Sequence, residues 1–537
     1  VQVSAGRNFI EQKESETVKF KPSHQQEKIF EWFSNPDTSR NLVIRARAGT
    51  GKSTTVLEGI TLAPERSILM AAFNTRIADH LKAEISNPFA RARTLNSLGY
   101  EYVRRFWPHV DMVNTKMRET PRVNLHAAKV AGVQAPQDML VLIAKLATKG
   151  KEMAPLAENP GDLQDLAYEF DCVPDEEWEE FGWDVSYICE KAFEVMELAT
   201  HPDPKIDFAD QIYLPIRNKW IRGRFDLIVV DEAQDMNVSQ ILLAQRSVKP
   251  GGRIAVVGDD RQAIYGFRGA DSDVIDRLKR EFSAKELGLT TTYRCPQSVV
   301  RLAQRLVPDY QADPSAPMGV VAYPGIDQMI EAIQPDDFLL SRRNAPLAGI
   351  CLRILKTGKR ARLQGKDIGA GLISLVTKWK SRSMPEFLAR LQNWREREIV
   401  RAESSGSKYS DAHVDAINDK ADTLIALSEG LASLGELQNR IRTLFDENDK
   451  SPAVMCSSIH KAKGMEANNV FVLASTLNSR MDPPCTCHHW AHKGKDCTKC
   501  DCEDYEPDEK KLLEEQNLEY VAITRTKRNL YLVQGEL

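Results

Sequence analysis

The sequence predicts an α/β fold with parallel sheet and helical insertions, and three observations predict it. An apolar run at Leu42–Ile44 leads through a small-residue turn into a helical pattern, in the stretch NLVIRARAGTGKSTTVLEGI. A second unbroken apolar run, Leu227–Val230, ends in the acidic pair Asp231–Glu232; such a run suits a parallel strand covered on both faces. Two long stretches, roughly 101–205 and 377–450, carry apolar residues at three-and-four spacing between Pro- or Gly-containing breaks, the pattern of helices with one buried face. At 537 residues the chain exceeds a single core, and roughly two to five domains are expected.

Composition narrows the classes. The chain is 42% hydrophobic and 28% charged with a formal net charge of -4, so no overall basic field points to nucleic acid, although a local basic groove fits inside such a chain. Runs such as MLVLIAKLA are too short to span a bilayer. The start, VQVSAGRNFIEQKESE, lacks a basic-then-apolar signal pattern, and its first Val reads as a trimmed end. Cys172, Cys189, Cys295, Cys351 and Cys456 are scattered singly, as in a reducing compartment. A soluble intracellular protein with no membrane partner is expected.

The turn after the first strand, residues 46–53, reads A-R-A-G-T-G-K-S. This is a phosphate-binding loop with Ala46 in place of the usual first Gly. Gly49 and Gly51 let the backbone turn its N–H groups inward around phosphate oxygens, with Ala48, Thr50 and Thr54 completing the cradle. Lys52 supplies a point charge to the terminal phosphates, and the Ser53 hydroxyl suits Mg²⁺. The helix that follows aims its positive end at the anion. The partner half of such a site is an acidic pair ending a buried strand. In RFDLIVVDEAQDM, Asp231 is placed to hold Mg²⁺ through water and Glu232 to orient or deprotonate the attacking water.

Together these stretches resemble superfamily 1 DNA helicases of the UvrD/Rep family. The other motifs of that family follow in order. VVGDDRQAIYGFRGA (256–270) is similar to the third motif, LTTTYRCP (289–296) to the fourth, SSIHKAKGMEANNVFVL (457–473) to the fifth and LEYVAITRTKRNLYLV (518–533) to the sixth. The resemblance implies that Gln262 senses the γ-phosphate, that Tyr293 stacks on adenine, and that Arg294 and Arg525 reach the transferring phosphate. It places Glu466 near the ribose and the domain interface, and Tyr265, Phe267, Arg268, His460 and Lys463 toward DNA. Exposed rings there would stack on bases without regard to sequence. KPSHQQEKIF (21–30) is similar to the adenine-reading Gln motif; spacing from Ser23 favours Gln26, with Gln25 as the alternative. ILMAAFNTRIADHL and ARTLNSLGY resemble the early DNA-contacting motifs and carry Phe73, Asn74 and Asn96, the last where the family often has His. IDFADQIYLP (206–215) resembles the acidic stretch before the second motif.

The resemblance implies two RecA-like motor domains, each interrupted. Domain 1A is expected over 1–100 and 206–286 with a helical accessory domain 1B at 101–205. Domain 2A is expected over 287–376 and 451–537 with a short helical accessory domain 2B at 377–450. It also implies an ATP-dependent single-stranded-DNA translocase and helicase, a monomer moving 3′→5′ on single strands and single-strand/duplex junctions. The compartment is the cytoplasm or another soluble intracellular one that holds DNA. The alternative is a translocase that remodels protein–DNA complexes without efficient unwinding.

CTCHHWAHKGKDCTKCDC (485–502) falls between the fifth and sixth motifs. It gathers Cys485, Cys487, Cys497, Cys500 and Cys502 with His488, His489 and His492. Short-spaced thiolates and imidazoles suit tetrahedral Zn²⁺, with a subset serving one site or all eight serving two. An iron–sulfur cluster is the second choice, and a loop without metal the third. Its acidic flank, CDCEDYEPDEKKLLEE, repels phosphate, so the expected role is a structural knuckle or a docking knob for a protein partner.

Overall fold

The structure is a computed structural model that describes residues 21–35, 41–113, 137–170, 172–174, 182–264, 274–404, 410–446, 449, 451–477 and 509–535. Two six-stranded sheets organise it. The first is built from β1 (Leu42–Ala46), β2 (Ile68–Ala72), β3 (Ala90–Thr94), β4 (Phe225–Val230), β5 (Val248–Gly258) and β6 (Lys285–Leu289), in the spatial order β3-β2-β4-β5-β1-β6. The second is built from β7 (Val320–Ala322), β8 (Phe338–Ser341), β9 (Ala361–Leu363), β10 (Val454–Ser458), β11 (Ala467–Leu473) and β12 (Thr526–Val533), in the order β7-β12-β11-β8-β10-β9. Every pairing in both sheets is parallel. Both are RecA-like α/β units. The first reaches Leu289, three residues past the expected boundary at 286, because Leu42–Ala46 takes Lys285–Leu289 as its second neighbour.

Side-chain alternation explains why the strands read as unbroken apolar runs. On one face Leu42, Ile44, Met70, Leu227, Val229 and Val257 pack with Ile29 and Phe33 of α1 (His24–Ser34) and Val56 and Ile60 of α2 (Lys52–Leu62). On the other, Val43, Leu69, Ile228, Val230 and Val256 pack with Leu95 and Leu98 of α3 (Leu95–Phe106). With both faces covered by helices, odd and even positions alike must be apolar. Each such side chain contributes about 1.5–3 kcal/mol by leaving water.

The two helical insertions behave differently. Between β3 and β4, α4 (Gln137–Met153) and α5 (Val185–Ala199) build a core of their own around Ile143, Leu146, Ile188 and Val195. That core is tied to the helix Asp210–Arg217, which leads back toward the first sheet, by a fully buried cation: Lys151 Nζ lies 3.4 Å from Asp207 Oδ2 and 3.1 Å from Asp210 Oδ1. Between β9 and β10, Phe387, Leu391, Leu424, Leu427, Leu437 and Ile441 instead join Leu339, Leu347, Ile354 and Cys456 in one cluster. The described residues of 377–450, expected as a separate accessory domain, therefore share the core of the second sheet as a helical layer. Asp419, on the helix Ser410–Ser428 of that layer, caps the helix Asn344–Lys356 by accepting from the N–H groups of Asn344 (2.7 Å) and Ala345 (2.8 Å). Among the described residues no helix is long and apolar enough to cross a membrane.

Candidate nucleotide site and nucleic-acid face

The site lies at the carboxyl ends of the first sheet's strands, where open parallel sheets gather ligand-binding loops. After β1 the chain bends through Gly49 (φ 69°) and Gly51 (φ 75°) into α2. Both glycines are in the left-handed region, and Gly49 is also pinned by proximity. A Cβ there would stand 2.6 Å from Arg294 Cβ and 2.7 Å from Thr292 Oγ1, so a side chain would push the 291–294 segment off the loop. Tyr293 N–H donates to Gly49 O at 2.9 Å. No side chain caps α2, which leaves its first-turn amides for an anion. Ser53 and Thr54 stand exposed on that turn, and Thr50 is buried with its hydroxyl donating to Arg47 O at 2.8 Å.

Lys52 Nζ meets Glu232 Oε2 at 3.0 Å. Burial works against the Lys52 charge, but Glu232, Asp259 and Asp231 outweigh it and raise its proton affinity above the usual lysine value. Glu232 is the second residue after β4 and adopts φ 51°, ψ 44°. A non-glycine residue in that region stores about 1–3 kcal/mol of strain. Its carboxylate also accepts from Gln234 Nε2 at 2.6 Å. Burial opposes its ionisation, yet the charges of Lys52 and Lys463 hold it at about 2. Asp231 is 3% exposed and is pushed up to about 6, by burial first and by the Glu232 charge second. Its Oδ1 accepts the Glu232 N–H at 3.0 Å, and no ion pair is recorded to it among the described residues. A buried carboxylate at a strand end, close enough to feel the charge of Lys52 at the start of α2, fits a divalent ion; Ser53 and Asp231 are the residues that would hold it.

The second sheet supplies the other wall. Arg294 donates to Glu466 Oε2 (2.6 Å) and to Thr524 O (3.3 Å), and Lys527 shares Glu466 at 2.6 Å. Arg525 is 1% exposed. Its donors meet Val521 O (3.0 Å), Met465 O (3.3 Å), Thr524 Oγ1 (3.3 Å) and Gln262 Oε1 (3.4 Å). These are all neutral oxygens. Burial, and Arg294 beside it, lower its proton affinity to about 10. Gln262 passes its other end to Asp259, Nε2 to Oδ2 at 2.7 Å, so one amide joins the first sheet's acidic cluster to Arg525. The Tyr293 ring is half exposed, with its nearest atom 3.9 Å from where a Gly51 Cβ would stand. Gln26 is buried; its Oε1 accepts Ser23 N–H (2.9 Å) and its Nε2 donates to Thr55 Oγ1 (2.9 Å). Gln25 grips Thr290 through both ends of its amide.

Residues 25–283 match the UvrD/REP helicase N-terminal domain, and residues 389–536 match the UvrD-like helicase C-terminal domain. The chain belongs to the UvrD/Rep family of superfamily 1 helicases. F-box DNA helicase protein 1 of Schizosaccharomyces pombe is 24% identical over 564 aligned positions, covering 95% of this chain and 57% of that protein. DNA helicase II of Escherichia coli is 30% identical over 137 residues, 24% of this chain and 19% of its own length. ATP-dependent DNA helicase Rep of the same organism is 37% identical over 111 residues, 19% of this chain and 16% of its own length. The chain thus spans less than two thirds of each of these UvrD/Rep relatives.

Several residues expected in nucleotide or nucleic-acid contact are engaged otherwise. Lys463, assigned toward DNA, is 9% exposed at its side chain and bonds both Asp235 oxygens (2.7 and 2.8 Å) and Gln262 O (2.7 Å). It ties the two sheets together, because two buried acceptors from the first sheet's loops converge on it. Asn96 is 9% exposed and wedged between Phe208 O and Gln240 Nε2, both at 3.3 Å. Asn74 caps the helix Thr75–Glu84 through Ile77 N–H (2.9 Å), and Phe73 packs partly into the core. Ala48, grouped with the phosphate cradle, has its N–H committed to Tyr520 Oη at 3.0 Å. His460 is half-buried on the short helix after β10. Tyr265, Phe267 and Arg268 lie outside the described residues, as do Cys485, Cys487, His488, His489, His492, Cys497, Cys500 and Cys502. Among the described residues no group of three or more His, Cys, Asp or Glu is arranged to hold a metal.

Phe208 went unnoticed in the sequence. Its ring is 60% exposed and its carbonyl sits on Asn96, beside the strand ends that carry the early motifs. The signal was an aromatic between two buried aspartates, Asp207 and Asp210. A groove of about 770 Å³ nearby is lined by Thr75, Lys82, Arg91, Arg93, Thr94 and Ser97. Of its cations, Lys82 pairs with Asp79 and Arg93 with Glu101, so the charge along the groove is largely balanced.

Proposed function

We propose that the chain is an ATP-driven motor that steps along single-stranded DNA and separates duplex strands, moving 3′→5′. The observation that carries this reading is Arg525. A fully buried guanidinium bonded only to neutral oxygens, and linked through Gln262 to the acidic end of the first sheet, is poised for an anion. A γ-phosphate held by Lys52 is that anion, and it would bridge the two sheets.

The chemistry of the residues follows. Phosphate draws Lys52 Nζ from Glu232 Oε2, which leaves Glu232 free to take the proton of the attacking water. Arg294 and Arg525 spread the charge that develops on the transferred group. Mg²⁺, held by Ser53 and Asp231 when bound, supplies further neutralisation of the phosphate oxygens. Hydrolysis removes the bridge between the sheets, and the closed and open states alternate. The exposed ring of Phe208, beside the early motifs, supports a strand path across the first sheet; grip on the DNA backbone makes affinity fall with salt. The 3′→5′ polarity is carried over from the family resemblance and has no local chemical derivation.

The test is ATP hydrolysis with and without single-stranded DNA, for the parent and Lys52→Ala. DNA-stimulated turnover lost in Lys52→Ala is the expected result; turnover indifferent to either change contradicts it. We propose further that a subset of the Cys and His residues within 485–502 binds zinc, on the ligand chemistry of the sequence. Stoichiometric zinc in purified protein is expected, and a fully active metal-free sample removes the claim.

A further inference from the structure

Ala48 sits where β1 has ended and the phosphate loop begins, and both its backbone polar groups are held by phenols. Its N–H donates to Tyr520 Oη at 3.0 Å, and its carbonyl accepts from Tyr310 Oη at 2.9 Å. Both rings are fully buried. They meet edge to face with centroids 5.5 Å apart at 81°. Tyr310 and Tyr520 belong to the core of the second sheet, and Ala48 is buried in that same core. An ion pair reinforces the contact: Arg47 reaches Asp309, the residue before Tyr310, at 3.0 Å, while also holding Asp259 and Asp260.

The peptide bond is planar and trans, so a carbonyl and the N–H that follows it point in opposite directions. Fixing Ala48 C=O on Tyr310 therefore fixes the direction of the Gly49 N–H. Fixing Ala48 N–H on Tyr520 fixes Arg47 C=O, which accepts the Thr50 hydroxyl at 2.8 Å. Two phenols thus orient consecutive peptide planes at the entrance to the cradle. We propose that Tyr310 and Tyr520 are positioning residues through which the second motor domain sets the shape of the phosphate loop, so that its amides are aligned for a triphosphate only while the two domains are docked. This rests on the ATP reading of the site above.

The test uses Tyr310→Phe and Tyr520→Phe, which keep the rings and their packing and remove one hydroxyl each. Each leaves a buried backbone group without its partner, and KM for ATP in DNA-stimulated hydrolysis is expected to rise about tenfold with kcat within about twofold. Hydrogen exchange of the peptide spanning 46–53 is expected to quicken by about the same factor, while the peptide spanning β8 exchanges as in the parent. KM and loop exchange both unchanged overturn the proposal. Uniform quickening across β8 also overturns it, because that marks general loosening. A parent without ATP hydrolysis refutes the ATP reading instead; loop exchange alone then decides whether the phenols shape the loop.

Discussion

Glu232→Gln separates binding from chemistry at this site. Glu232 and Lys52 meet at 3.0 Å with side chains 26% and 11% exposed. At an effective dielectric of about 20, two unit charges at that distance attract by about 5 kcal/mol before desolvation is counted. ATP must replace that attraction when it takes Lys52, and in the glutamine variant it need not. ATP should therefore bind the variant at least as tightly as the parent. Turnover should fall by about 10²–10⁴, the usual contribution of a positioned general base, which is about 2.7–5.4 kcal/mol in the barrier. Binding is followed with a fluorescent ATP analogue and turnover by phosphate release with single-stranded DNA. Near-parental turnover, or loss of binding in step with turnover, refutes the assignment of Glu232 as the base and of the Lys52 pair as its restraint.

Arg525→Ala should lower DNA-stimulated turnover by about 10³–10⁵ while ATP affinity changes little, the mark of an arginine that acts on the transferring phosphate; equal losses in both place it in ground-state binding. Lys151→Met leaves Asp207 and Asp210 buried without their cation and should cost about 3–5 kcal/mol in denaturant unfolding, while adding Asp207→Asn and Asp210→Asn should recover most of it. A single variant as stable as the parent contradicts the pinning of the first helical insertion. Glu101 is only lightly buried; burial opposes its ionisation, but Arg93 and Arg224 hold it down at about 2 against 4.5 unperturbed. A depressed folded value means that its contribution is present above about 4.5 and is lost as pH falls toward 2. Glu101→Gln should lower stability at neutral pH and flatten that part of the acid-unfolding profile in denaturant unfolding followed across pH; a profile that keeps the parent's slope between about 4.5 and 2 contradicts it.

The nucleotide half of the site was legible because its signals are local. Strand, glycine turn, lysine and helix occupy one stretch, and the acidic pair closes one apolar run, so each could be read without knowing what packs against it. The roles of Lys463 and Ala48 were not legible. Asp235 lies 228 residues from Lys463 and Tyr520 lies 472 from Ala48, and no periodicity encodes a contact at that separation. Lys463 also shows why charge alone misleads: a lysine in a motif flanking DNA reads as a phosphate contact until two buried acceptors claim it. Asn96 failed for the same reason, since the Gln240 and Phe208 groups that hold it come from other elements. The expected boundary at 286 cut the edge strand Lys285–Leu289, because KELGL offers no unbroken apolar run to mark it. The described helices within 377–450 carried the right period, but periodicity states only that one face is buried, not which core receives it.

The proposed motor, two sheets that share one ATP and turn its hydrolysis into directed movement on DNA, is checked by unwinding of 3′-tailed and 5′-tailed duplexes, with ATP hydrolysis followed in the same reactions. Unwinding of the 3′-tailed duplex that tracks hydrolysis, with the 5′-tailed duplex left paired, is the predicted result. Hydrolysis that proceeds equally without DNA, with neither duplex opened, contradicts it.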